Sequence, residues 1–250
     1  MWPSTLMLVP FGIVLCMGMV FAFLLSLQAK RSQDRQLDPA TQTDRPGAGG
    51  PGAYRPNPFD QPCRWVAVKT ANPMAVQAAL ALNNPTPCGW SDILAKLDEP
   101  RLFLSPPVAG WTLVMGQALP DPAGDVDDCF HFVRQLSRKL GLVQFFALNR
   151  VLGHHAWVQA LDGRIIRAYA WAGETLWNQG RMSAAEIELG LRCCAYGEAV
   201  VRPGIGTRDW EAVNTENVMA LAARWSIDPT TIDDLSLRGL PGIAGDRPSP

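Results

Sequence analysis

No charged side chain occurs before Lys30, and the stretch Leu6–Leu27, LMLVPFGIVLCMGMVFAFLLSL, is apolar apart from Ser26 and two glycines. A run of this length matches the roughly 20 residues with which an α-helix crosses about 30 Å of hydrocarbon, and a helix satisfies its backbone polar groups internally. Pro10 falls early in the run, where a missing N–H costs least. A cleaved signal peptide fits less well, because no basic segment precedes the run and it exceeds the usual apolar core of about 7–15 residues. The sequence therefore predicts one transmembrane helix within residues 1–29, with residues 6–27 as the contact with the membrane. Lys30, Arg31 and Arg35 follow it, and the positive-inside rule then keeps the C-terminal domain in the cytoplasm.

Residues 30–62 change character, with prolines at 39, 46, 51, 56 and 58 and the flexible stretch GAGGPGA. Such a segment buries too little apolar surface to offset its ordering entropy and reads as a disordered tether. What remains is material for one sizeable domain. Lys+Arg 22 against Asp+Glu 23 gives a charge of −1, and no Lys/Arg-rich run is present, so nucleic acid is not an expected partner.

The globular domain is expected over residues 63–200. Arg64–Thr70 is a strand candidate, and Asn72-Pro73 opens a helix carrying Val76, Ala79 and Leu80. Ser91 is placed to cap a short helix, and Leu102–Leu104 and Trp111–Met115 read as strands. Val126–Leu140 is the clearest helix: Cys129, Val133 and Leu136 share a face, Asp125, Asp127 and Asp128 crowd its start, and Arg138, Lys139 and Gly141 its end. Strands follow at Val143–Leu148, Ala156–Ala160 and Arg164–Ala170. The last two meet at Asp162-Gly163, which favours a type I′ turn and sets Trp157 opposite Ala168 and His154 opposite Trp171. Ser183 to Glu186 is a capping box opening another helix. In residues 201–236, a loop leads to a docking helix capped by Asn214-Thr215, and the Gly/Pro-rich residues 237–250 read as a disordered tail. This order predicts an α+β fold, a mostly antiparallel sheet with helices on one face. Its β-α-β-β-α-β opening is compatible with a ferredoxin-like unit extended by a hairpin.

Signatures of known chemistry are sparse. No C-x-x-C, phosphate-binding loop, nucleophile elbow or H-E-x-x-H occurs, so neither a metal nor a cofactor is expected. Cys129 and His131, two apart on a helix, diverge by about 200°. Cys63, Cys88 or Cys129 with His154 or His155 is the remaining route to a Cys/His hydrolase or transferase. Nine tryptophans against three tyrosines is the other oddity, and aromatic residues concentrate on the hairpin. His154, His155, Trp157, Arg167, Tyr169 and Trp171 are accordingly the candidate binding residues, since Trp, Tyr and Arg dominate binding surfaces. The expected function is a single-pass, membrane-tethered, non-enzymatic domain that binds an unknown protein or small molecule. The alternatives are the Cys/His enzyme and a structural subunit of an envelope assembly.

Overall fold

The computed structural model describes residue 59 and residues 61–96, 99–198, 210–232, 237 and 239–248. The apolar run Leu6–Leu27 and residues 30–58 lie outside the described residues. Among those described, no helix is long and apolar enough to cross a membrane.

The strands are β1 (Cys63–Val68), β2 (Asn83–Cys88), β3 (Leu102–Leu104), β4 (Thr112–Met115), β5 (Val143–Asn149), β6 (His154–Leu161), β7 (Arg164–Trp171), β8 (Thr175–Gln179) and β9 (Gly242–Asp246). They form a nine-stranded sheet in the order β2-β9-β3-β4-β1-β5-β6-β7-β8, and every neighbouring pair is antiparallel. The helices are α1 (Pro73–Leu80), α2 (Trp90–Ala95), α3 (Val126–Leu140), α4 (Ala184–Glu188) and α5 (Trp210–Trp225).

Strict alternation along β1, with Trp65 and Ala67 on one face and Val66 and Val68 on the other, already shows that both faces are buried. Helices α1 and α3 cover the second face through Val76, Leu80, Cys129, Val133 and Leu136. Helices α2, α4 and α5 cover the first, with Ile93, Leu191, Val218 and Ala222 in the core beneath them. The expectation of helices on one face is thereby corrected. Strand sequences with apolar residues at successive positions, such as Val143–Leu148, need cover on both sides.

Helix α3 forms as its sequence predicts. The Asp125 carboxylate accepts from the Asp127 and Asp128 amides, Cys129 is buried and His131 exposed. At the β6–β7 turn both Asp162 (φ 49°) and Gly163 (φ 79°) are left-handed, as a type I′ turn requires. The predicted register then fails at a bulge: Ala160 pairs with Ile165 but Gln159 with Arg167, leaving Ile166 as the extra residue. Trp157 consequently lies opposite Tyr169, and His155 opposite Trp171.

Three further expectations change. Phe59, assigned to the tether, is buried against Trp65 with ring centroids 6.4 Å apart. Asn214 and Thr215 lie inside α5, one turn beyond its start, and are buried there instead of capping it. The tail contributes β9, inserted between β2 and β3. Its glycine fits that position: a Cβ on Gly242 would stand 2.4 Å from the Leu104 carbonyl oxygen. The partner β2, NNPTPC, lies at the sheet's edge, where two prolines are tolerated because their missing N–H groups need not complete a ladder.

Candidate functional site

Five of the six candidate residues project from the hairpin into the face beneath α4 and α5. His155, Trp157, Arg167, Tyr169 and Trp171 are each no more than 3% exposed, so they form an interior and not the aromatic surface the sequence suggested. The bulge at Ile166 turns Arg167 onto the same face as Tyr169, where its guanidinium meets Glu186. Arg167 Nε donates to Glu186 Oε1 at 2.8 Å, and Trp157 Nε1 donates to the same oxygen at 2.7 Å. Glu186 Oε2 accepts from the Ser183 amide at 2.6 Å, completing the capping box of α4. Arg167 Nη1 donates to Asn178 Oδ1 and the Ala168 carbonyl, both at 2.9 Å, and Nη2 to Cys193 Sγ at 2.9 Å. Tyr169 Oη accepts from the Cys194 amide at 3.2 Å. Both charges are buried, and every guanidinium nitrogen and both carboxylate oxygens have a hydrogen-bond partner, so this network pins α4 and the segment behind it to the hairpin.

His155 makes a second lock. Its Nδ1 faces the Gly153 carbonyl and Thr215 Oγ1, each at 3.1 Å, and its Nε2 lies 3.2 Å from Asn214 Nδ2. A carbonyl accepts only, so Nδ1 carries the proton. Nε2 accepts from the Asn214 amide, whose Oδ1 takes the Arg192 N–H at 2.9 Å. Burial drives the imidazole pKa down from 6.5 to about 3. His155 is thus a neutral peg between β6 and α5, stacked on Trp157 with ring centroids 5.6 Å apart.

The three thiols do not assemble with His155. Cys63 and His155 are separated by Leu148 in one cross-strand row, about 10 Å across two strand spacings. Burial raises the Cys63 pKa to about 12. Cys88, on β2, lies six strand positions from β6, about 29 Å. Cys129 is on the opposite sheet face from His155, and burial raises its pKa as well. Among the described residues, burial raises the pKa of every thiol, which works against an activated nucleophile. Among the described residues, no three His, Cys, Asp or Glu side chains gather as metal ligands.

The feature that sequence reasoning missed lies on the other face. Arg64, Ala147, Ala156, Ala170 and Trp177 stand side by side in one row across β1, β5, β6, β7 and β8. Where the neighbouring row carries Val66, Phe145 and Val158, this one carries three methyl groups, and α3 reaches it at its far end through Phe130, packed on Trp177 with ring centroids 5.8 Å apart. Beside this row lies a cleft of about 360 Å³ lined by Gln117, Asp121–Gly124, Leu152 and His154, with the alanines at its base, Ala147 9% exposed and Ala156 and Ala170 buried. That size and mostly apolar lining suit a small organic molecule.

Polar groups stand at its margin. Arg64 Nη2 donates to the Gln117 carbonyl at 3.2 Å and to Gln117 Oε1, while Nη1 is 3.5 Å from Asp121 Oδ2. His154, half-buried on the cleft wall, has no hydrogen bond among the described residues. His154 is therefore the sequence candidate whose side chain belongs to the cleft face. His155 and Trp171 border the cleft from strand positions whose side chains face the other way. Compared with known proteins, the chain matches no family model, no curated protein and no solved structure.

Proposed function

We propose that the chain is a membrane-tethered, non-enzymatic binding domain whose ligand occupies the alanine-floored cleft. The observation that carries this reading is the cross-strand row of Ala147, Ala156 and Ala170, which leaves a cleft of about 360 Å³ beside Arg64 and His154. The pairing of raised thiol pKa values with a locked, neutral His155 supports binding over hydrolysis. The strand order β3-β4-β1-β5, with α1 and α3 crossing the same face, supports a ferredoxin-like core. The anchor is Leu6–Leu27, and the three basic residues after it favour a cytoplasmic domain.

Two measurements test this. In alkaline carbonate extraction the full chain is expected in the membrane pellet, and a chain beginning at Lys30 in the supernatant. Full-length protein in the supernatant would remove the tether. For the cleft, 2-naphthamide serves as an uncharged probe in calorimetric titration of the full chain in lipid nanodiscs, with empty nanodiscs as blank. Ala156→Leu fills the floor with three more carbons and is expected to reduce probe affinity at least about tenfold. Unchanged affinity in a folded variant would place the binding site elsewhere.

A further inference from the structure

We infer that the ligand of this cleft is a small amphiphilic monoanion, a carboxylate on an apolar body, held by Arg64 at one end of the alanine row. The inference rests on the cleft being a ligand site and adds the chemistry of what enters it. Arg64 ends the row in register with Ala147, the most exposed of the three alanines, so a molecule seated in the cleft against Ala147 presents its end to the guanidinium. The backbone and side chain of Gln117 orient that guanidinium through Nη2. Nη1 is left with a single contact, to Asp121 Oδ2 at 3.5 Å, beyond good hydrogen-bond length. The arrangement is a planar fork held on one side and loosely met on the other, which suits a carboxylate.

The nearby acidic groups do not favour a cation. Asp125 spends its carboxylate on the amides that open α3, and Asp128 lies 3.9 Å from Arg247. Asp121 Oδ1 accepts from the Ala123 amide, and its side chain is 57% exposed, so an incoming carboxylate displaces only a screened, surface contact. His154 lines the same cleft, with no side-chain hydrogen bond among the described residues. Asp121 acts as a stand-in for the ligand's charge.

The test compares 2-naphthoate with 2-naphthamide, which share shape and differ in charge, on the full chain in nanodiscs. Wild type is expected to bind the carboxylate about tenfold more tightly than the amide. Arg64→Gln should abolish that preference while leaving amide affinity within about twofold. Asp121→Asn, which removes the competing carboxylate, should tighten naphthoate binding about two- to fivefold. The Asp121 variant leaves Arg64 in place and so guards against a misfolded Arg64 variant. Equal binding of the two probes, or weaker naphthoate binding in Asp121→Asn, would overturn the anion assignment while leaving the cleft as a site. Failure of both probes to bind would instead remove the site itself.

Discussion

Glu186→Gln is expected to destabilise the domain by about 3–5 kcal/mol, read from urea unfolding followed by tryptophan fluorescence. The substitution keeps the size of the side chain but leaves the Arg167 guanidinium, 2% exposed, without its countercharge. It also replaces one carboxylate oxygen that serves both Arg167 and Trp157. Combining Glu186→Leu with Arg167→Met removes both charges and should recover most of the loss, because a buried pair contributes little net stability over apolar residues. A loss below about 1 kcal/mol for Glu186→Gln would mean that the pair does not hold α4 to the hairpin.

A second large effect comes from His155. Its folded pKa, about 3, lies below the ordinary 6.5 because the ring is buried. The nitrogen that would take the proton also faces the Asn214 amide donor. The unfolded chain therefore binds a proton that the folded chain refuses. Its stabilising contribution is complete above pH 6.5 and declines as the pH falls toward 3. One such group gives a slope of about 1.4 kcal/mol per pH unit. Between pH 6.5 and 4.5, wild type should lose about 2–3 kcal/mol that His155→Asn does not lose. Parallel pH profiles for the two proteins would show that the imidazole is not locked in its neutral form.

Local structure was legible where the signal was local. Charge placement around α3, the Asp162-Gly163 turn and the Ser183–Glu186 capping box all act within a few residues, and all three are found. What the sequence concealed depends on distant register. Arg167 reaches Glu186 only because Ile166 bulges out, and nothing in RIIRAYAW marks the extra residue. Glu186 reads as an ordinary capping residue, although its second role is to neutralise a guanidinium 19 positions earlier. The histidine and aromatic side chains concentrated on the hairpin read as a binding surface in the sequence. Burial decides its role, and most of those side chains secure the interior.

The alanine row was harder still to read. Ala147, Ala156 and Ala170 sit among large apolar residues in three separate strands, and each alone looks like ordinary filler. They come together at the base of one cleft only because three registers coincide. The tail misled for a related reason: glycine suggests disorder by composition, yet at Gly242 it is what lets β9 approach β3.

The most direct measurement follows the alanine methyl groups themselves. In the ¹³C-methyl alanine spectrum of the full chain, titration with 2-naphthoate is expected to shift Ala147, Ala156 and Ala170 together and saturably. Ala222, on the buried side of α5 against the opposite sheet face, should stay unmoved. Unmoved resonances for the three floor alanines at saturating probe, or shifts confined to other alanines, would contradict the cleft as the binding site.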